Sequence, residues 1–271
     1  MERRQLLSMM AGSSAAVAGS SAIAVDLKYA LDPAPWARTL AGLPLDEWQE
    51  KVVRSEARRL ALCCYRQAGK TSVTAAKAGH HLVYHPESFV VVLGPAGRQR
   101  EELQSKILAT LREIPERIAG VRRNDEARGV ELENGSRLLC VPDNPDCVRG
   151  FAGVTLLIVE EAAYVSDEVM GAALPYLSAK NGQLVKLSTA GGKRGHFYAS
   201  MQDRGYERHL VPWVRGASRI KAEFVDDYKR TQGEWMFRQE YLCEFLDPET
   251  SIVSADVLRE AADPRFKGLL I

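Results

Sequence analysis

The sequence has almost no net charge, no paired-cysteine motif and no long apolar run. Its 271 residues carry 36 Lys and Arg against 35 Asp and Glu, a formal net charge of +1. A global basic field is therefore absent, and any contact with nucleic acid must come from local clusters of Arg and Lys. No stretch is long and apolar enough to span a bilayer, so we expect no membrane partner.

Cysteine usage also excludes some classes of protein. The five cysteines, at 63, 64, 140, 147 and 243, form no C-x-x-C pair, and their odd number argues against a disulfide framework. A reducing compartment fits this pattern best. What the chain does have is 46% hydrophobic residues, which is enough to bury a proper core.

The stretch Leu60 to Thr71 (LALCCYRQAGKT) has an apolar run, a short bend and then Gly69-Lys70-Thr71. This is the layout of a strand, a phosphate-binding loop and a helix N-terminus, where backbone N–H groups and the helix dipole hold a polyphosphate. Lys70 would contact the β- and γ-phosphates, and the Thr71 hydroxyl would bind Mg²⁺. Cys64 replaces the first glycine of the usual motif, and a plain strand–turn–helix with a surface lysine is the alternative.

A second strongly apolar run, Val154 to Val159, ends in Glu160-Glu161. Carboxylates at the C-terminal end of a parallel strand lie at the sheet edge where ligands bind. Glu160 could hold Mg²⁺ and Glu161 could polarise an attacking water. A strand that simply exits to solvent is the alternative. We expect this strand to lie next to the one before the phosphate loop, so that Lys70 and both acids share one magnesium–triphosphate.

Other segments complete the pattern. Apolar runs at 88–93, 183–187 and 206–214 alternate with helical stretches, which predicts an α/β fold: a mostly parallel central sheet with helices on both faces.

Asn134-Gly135 predicts a hairpin with a type I′ turn. The amide of Gln49 can donate to and accept from an adenine edge, unless it is simply a surface residue. Arg122, Arg123 and Arg128, with few acids nearby, form the most plausible nucleic-acid patch.

Together these motifs resemble the ATPase domain of the large terminase subunit, the DNA-packaging motor of tailed phages. The resemblance runs from Leu45 to Phe245 and implies a P-loop NTPase fold of the RecA/ASCE type, with ATP and Mg²⁺ as cofactors. The matching pieces, in the family's order, are Trp48-Gln49, RQAGKT at 66–71, Asn134-Gly135-Ser136, Arg149-Gly150, LLIVEEA at 156–162 and LSTAGG at 187–192.

The resemblance also implies roles for single residues. Glu161 matches the catalytic glutamate, and Glu160 stands where the family usually has Asp, as the metal ligand beside Thr71. Arg149 matches an arginine that reaches the ATP of a neighbouring subunit and would stabilise transition-state charge, unless it contacts DNA or forms a salt bridge. The other implied residues are a nucleotide-binding set (Gln49, Arg66, Gln67, Ala68, Gly69, Lys70, Thr71 and Ser72) and a coupling set (Ser188, Thr189 and Ala190).

Three segments are expected along the chain. Residues 1–44 would be an N-terminal arm with a small helical lead-in, and residues 45–245 the ATPase domain. Residues 246–271 would be a linker toward a nuclease domain that this chain lacks, so we expect no nuclease activity.

The resemblance implies a Mg²⁺-dependent ATPase that moves viral double-stranded DNA into a procapsid. Its partners would be the DNA, the portal protein, the small terminase subunit and further copies of the chain in a ring, although the isolated chain could be monomeric. Its place would be the host cytoplasm, transiently at the procapsid portal. The alternatives are a helicase-like DNA ATPase, or a non-hydrolysing nucleotide- or DNA-binding adaptor in which Cys64 and Glu160 mark a decayed site.

Overall fold

The computed structural model describes residues 27–94, 98–111, 122–124, 129–216 and 219–247. Residues 27–31 are helical, and a 3₁₀ helix spans Leu174–Leu177. The α-helices are α1 (Pro33–Thr39), α2 (Glu47–Arg54), α3 (Lys70–Tyr84), α4 (Arg98–Ala109), α5 (Asp167–Ala173), α6 (Gly195–Gln202) and α7 (Ala222–Leu242). The strands are β1 (Arg59–Cys64), β2 (Phe89–Gly94), β3 (Arg122–Asn124), β4 (Gly129–Glu131), β5 (Arg137–Pro142), β6 (Leu156–Glu160), β7 (Gln183–Ser188) and β8 (Glu207–Val211).

One eight-stranded sheet organises the fold, with strand order β3-β4-β5-β2-β6-β7-β1-β8. Six neighbouring strands of the sheet, in the order β5-β2-β6-β7-β1-β8, pair in parallel. Strands β3 and β4 add an antiparallel edge next to β5. The predicted α/β fold with a mostly parallel sheet is therefore confirmed. The expectation that β1 and β6 are neighbours is wrong, because β7 lies between them and pairs with both.

The sheet has a hydrophobic cluster on each face. Alternate residues of β1 point to opposite faces, so Leu60 and Leu62 join one cluster while Ala61 and Cys63 join the other. Helices α1, α2, α3, α4 and α7 contribute to the first cluster, and α5 and α6 to the second. The prediction of helices on both faces is confirmed, and the carboxyl ends of the central strands are left open at one edge.

The lead-in helix α1 packs into the first cluster. Trp36 is fully buried, and its ring meets the His80 ring edge-on at 5.5 Å between centroids. Gly79 on α3 makes room for this contact, since a Cβ there would lie 2.8 Å from the Trp36 ring. The predicted lead-in therefore shares the core of the segment that follows it.

The predicted hairpin between β4 and β5 is confirmed, but the prediction that its turn is of type I′ is wrong. Glu131 pairs with Arg137, and of the two predicted turn residues only Gly135 has a positive φ, of 79°. The Gly135 N–H donates to the Leu132 carbonyl, which closes a type I turn followed by a bulge. Asn134 instead uses its side-chain amide to cap α3, donating to the Leu82 and Val83 carbonyls at 2.8 and 3.2 Å.

Some of the predictions concern residues outside the ranges that the structure describes. The arm at 1–26, the linker beyond residue 247, Arg128 and the side chains of Arg122 and Arg123 lie outside the described residues, so the nucleic-acid patch stays a prediction. All five cysteines are described, and none of them forms a disulfide. None of the described helices has the length and apolar character needed to cross a bilayer.

Candidate active site

A cleft of about 790 Å³ lies at the carboxyl ends of β1, β6 and β7. This is the edge of a parallel sheet where ligands bind, and the volume suits a nucleotide-sized ligand. Its walls come from the loop after β1, from α3, from the ends of β6 and β7, and from α4 and α7. The lining residues are Arg66, Gln67, Gly69, Lys70, Thr71, Ser72, Glu102, Lys106, Glu161, Tyr164, Thr189 and Glu240.

The loop after β1 has the backbone of a phosphate-binding turn. Gln67 and Gly69 both have positive φ, of 63° and 96°. Gly69 is required for a second reason, because a Cβ there would lie 2.6 Å from Gln49 Nε2. The first turn of α3 follows at once, so the N-terminus of this helix, where N–H groups lack the usual partner four residues earlier, borders the cleft. Cys64, in place of the usual first glycine, is the buried last residue of β1.

Lys70 and Glu161 meet in this cleft. Lys70 is nearly buried, and its Nζ lies 3.4 Å from Glu161 Oε1. Burial alone would lower the pKa of Lys70, but the neighbouring Cys64, Glu161 and Glu160 outweigh it, and the pKa is raised. The lysine is therefore held charged, which a phosphate ligand requires. The predicted association of Lys70 with the acids at the end of β6 is present, through its contact with Glu161, although β7 separates β1 from β6.

Glu161 sits in an unusual backbone conformation. Its φ is 49°, a region that side-chain-bearing residues rarely adopt and that is concentrated at functional sites. The turn directs its carboxylate across the end of β7, where the Ser188 hydroxyl donates to Oε2 at 3.2 Å. With Lys70 on Oε1, one oxygen of Glu161 is held by the first residue of α3 and the other by the last residue of β7.

Glu160 has a different environment. It is almost fully buried, and Oε1 accepts a short hydrogen bond from the Thr74 hydroxyl. Burial raises its pKa to about 7, with the nearby Glu161 adding to the shift against the effect of Thr74. Among the described residues Glu160 forms no ion pair at contact distance, and the more distant Lys70 and Lys106 offset only part of the effect of burial on its pKa.

These features fit a bound Mg²⁺. Thr71 borders the cleft, and Thr74, one turn further along the same face of α3, holds Glu160 against that helix. Hydroxyl and carboxylate oxygens are the ligands that Mg²⁺ takes in nucleotide sites. A buried carboxylate without an ion pair is also what a cation would stabilise. Thr71 and Glu160 are thus the residues that would hold the ion.

Gln49 lies behind the loop with its amide fully occupied. Its Nε2 donates to the Ala68 and Gly69 carbonyls, both at 3.3 Å, and its Oε1 accepts from Asp46 N at 2.7 Å and from Arg219 Nη2 at 3.0 Å. The side chain is 0% exposed, so the surface alternative is wrong. In this arrangement Gln49 braces the phosphate loop, and adenine reading stays a prediction.

The remaining predicted residues occupy three kinds of position. Arg66, Gln67, Ser72 and Thr189 line the cleft, while Ala68 and Ala190 are buried behind it. Arg149 is exposed on the loop after β5, does not line the cleft and forms no ion pair with a described residue. Its role toward a neighbouring subunit stays a prediction.

Among the residues at this site that the sequence did not predict, four make or line the contacts described above. Thr74 and Arg219 form hydrogen bonds to Glu160 and Gln49, and Tyr164 and Glu240 line the same cleft as Lys70. Thr74 could have been found from its place one turn after Thr71. Tyr164 follows Glu161 by three residues, and its N–H donates to the Glu161 carbonyl at 2.8 Å. Arg219 and Glu240 lie in segments with no local motif, and only the tertiary fold brings them here.

Comparison with known proteins agrees with this geometry. No model of a known protein family matches the chain. The large terminase subunit of Thermus virus P23-45 is 24% identical, over 76% of this chain and 50% of that protein. The ATPase domain of the Thermus phage P74-26 large terminase superposes with a TM-score of 0.67 at 22% identity, covering 80% of this chain and 100% of that one. The chain has the fold of a large-terminase ATPase domain.

The resemblance to large terminases inferred from the motifs is therefore confirmed. A large terminase from a thermophilic bacteriophage, solved in complex with ADP, shares the same fold, with a TM-score of 0.60 at 13% identity over 75% of this chain and 54% of that one. The chain spans about half the length of the curated terminase subunits it matches.

Proposed function

We propose that this chain is a Mg²⁺-dependent ATPase that drives viral double-stranded DNA into a procapsid. The observation that carries the proposal is the meeting of Lys70, Glu161 and Ser188 in one cleft beside a phosphate-binding turn, with Lys70 Nζ 3.4 Å from Glu161 Oε1. The complex of the thermophilic bacteriophage terminase with ADP supports a nucleotide as the ligand.

The side chains of the cleft have distinct tasks in this proposal. Lys70 binds the β- and γ-phosphates, which draws it away from Glu161 and frees that carboxylate. Glu161, oriented by Ser188, then orients the attacking water and takes its proton. Thr71 and Glu160 would hold Mg²⁺, which would supply charge neutralisation at the phosphate oxygens.

The working assembly is a ring of copies around the DNA, docked on the portal protein and loaded by the small terminase subunit. It would form in the host cytoplasm, transiently at the procapsid portal. In that ring Arg149 reaches the nucleotide of the next copy, where a guanidinium stabilises the charge of the transition state. The isolated chain, without that neighbour, should hydrolyse ATP slowly.

Phosphate release by the purified chain, with and without double-stranded DNA, tests this function. Lys70→Ala should abolish DNA-stimulated release, a loss of roughly 10²-fold or more, because a main electrostatic contact to the transferred phosphate disappears. Lys51→Ala, an exposed lysine on α2 that pairs with Glu47, is the matched control and should leave the rate unchanged. An adaptor without hydrolysis would show the same low rate in all three proteins.

A further inference from the structure

We infer that Glu240 is a positioning residue of the cleft, whose carboxylate holds the Arg66 guanidinium and competes for it with the terminal phosphate of a bound nucleotide. This inference rests on the proposed function of the cleft as a nucleoside triphosphate site. It assigns a role to a residue of α7, about 170 positions after the phosphate-binding loop, that carries no recognisable motif.

Three contacts join Glu240 to the cleft. The backbone N–H of Arg66 donates to the Glu240 carbonyl at 2.8 Å, which fixes the phosphate loop against the end of α7. Arg66 Nη1 lies 3.7 Å from Glu240 Oε2. The Tyr164 hydroxyl donates to Oε1 at 3.3 Å. Both carboxylate oxygens therefore face groups that line the same cleft as Lys70.

The two partners differ sharply in burial. The Glu240 side chain is 7% exposed, whereas that of Arg66 is 57% exposed. A buried carboxylate needs a cation or several hydrogen bonds to offset its desolvation. Among the described residues, Arg66 is the cation within ion-pair distance of it. The carboxylate is thus fixed in the wall, and the guanidinium is the mobile member of the pair.

A triphosphate in the cleft would bring a second anion to Arg66. Arg66 borders the cleft beside Gln67, Gly69 and Lys70, so its long side chain can turn from the wall toward the phosphates. A guanidinium can pair with two anions at once, as Arg54 does with Asp32 and Glu50. The contact of Arg66 with Glu240 is long, however, at 3.7 Å, and bidentate pairing with the terminal phosphate would draw the guanidinium away from Glu240. The backbone bond between Arg66 and Glu240 does not depend on the side chains and would persist.

Calorimetric titration with MgATPγS and MgADP tests the competition. Glu240→Gln keeps the shape and the Tyr164 contact but removes the charge that retains Arg66. It should bind MgATPγS roughly five- to tenfold more tightly, the size of a typical coupling between contacting groups. MgADP, which lacks the terminal phosphate, should change by less than about twofold.

A double-mutant cycle identifies the cause. In an Arg66→Gln background, Glu240→Gln should change the MgATPγS affinity by less than about twofold, because no guanidinium remains to be released. Simple repulsion between Glu240 and phosphate gives the opposite pattern, with an equal or larger gain when Arg66 is absent, and that result would overturn the inference.

Glu244→Gln is the matched control. Glu244 lies just after α7 and pairs with the exposed Arg238, away from the cleft lining, so its removal should leave both affinities unchanged. Should Glu240→Gln fail to fold, Glu240→Asp, which withdraws the carboxylate by one methylene, should tighten MgATPγS about two- to threefold.

The outcomes separate this inference from the proposed function. Wild-type binding that Lys70→Ala abolishes, together with no gain in Glu240→Gln, leaves the function standing and rejects the role of Glu240. Absence of binding of either nucleotide by wild type and Glu240→Gln alike rejects both.

Discussion

Charged side chains are paired in the cleft beside the phosphate-binding loop, whereas Arg149, on the loop after β5, is not paired with any described residue. In the cleft, Lys70 contacts Glu161, and Arg66 contacts Glu240. Arg149 is exposed, stands before Gly150 with its φ of 97°, and pairs with none of the described residues. The cleft therefore brings its charged groups together within the described residues, whereas the role proposed for Arg149 requires a second copy of the chain.

The largest effect should come from Glu161. Glu161→Gln removes the proton acceptor but keeps a hydrogen-bonding side chain for Lys70 and Ser188. We expect phosphate release to fall by about 10²- to 10⁴-fold, the usual contribution of a general base, while MgATPγS affinity changes little. Glu168→Gln on the exposed start of α5 is the control. A reduced affinity with an unchanged turnover would assign Glu161 to binding instead.

In buffer without Mg²⁺, Glu160 should make the free energy of unfolding depend on pH. Its folded-state pKa of about 7 lies above the ordinary 4.5, so the folded chain binds the extra proton more tightly. The free energy of unfolding should therefore fall as the pH rises from about 4.5 to about 7, by up to a few kcal/mol from this group.

Denaturant titration at pH 5 and pH 8 measures that dependence. Glu160→Gln should lose this part of the slope and should be more stable than wild type at pH 8. Glu131→Gln, on the exposed side of β4, should retain the wild-type slope. Equal slopes in wild type and Glu160→Gln would mean that Glu160 is solvated in solution.

A smaller effect is expected at Ser188. Ser188→Ala removes the hydroxyl that donates to Glu161 Oε2 but leaves the carboxylate and its contact with Lys70. We expect phosphate release to fall roughly tenfold, the value of one hydrogen bond to a charged group. Ser178→Ala, at an exposed helix end, should have no effect. A loss as large as that of Glu161→Gln would make Ser188 a direct participant.

Arg149 should give the smallest effect in the isolated chain. Arg149→Ala should leave nucleotide affinity and basal phosphate release within about twofold of wild type, because the side chain does not reach its own cleft. In assembled motors the same change should abolish the additional turnover. Loss of nucleotide affinity in the monomer would place Arg149 at its own site and remove the contrast between the two regions.

The sequence predicted those parts of the site that are continuous in the chain. The strand–loop–helix unit around Lys70 and the acids at 160 and 161 were found because apolar runs and polar ends occur side by side. The order of strands in the sheet does not follow from such local patterns. The position of β7 between β1 and β6 could therefore not be predicted from the sequence alone.

The hydrogen-bond partners of individual side chains could not be predicted from local sequence patterns either. Gln49 has the amide that an adenine reader needs, but its hydrogen bonds are taken by the loop and by Arg219, a residue distant in sequence. No sequence motif marks Tyr164 or Glu240. Such roles depend on which elements meet, and that is decided by the packing of whole helices on the sheet.

The burial of Trp36 bears on how this protein should be shortened for experiments. A fragment that starts at Leu45, the first residue of the predicted ATPase segment, would delete an indole that fills space against Gly79 and His80. Losing a buried aromatic side chain of this size typically costs about 3 to 5 kcal/mol, a large share of the stability of most domains. The minimal unit for crystallisation or motor reconstitution therefore has to begin before α1, although no nucleotide-binding motif lies there.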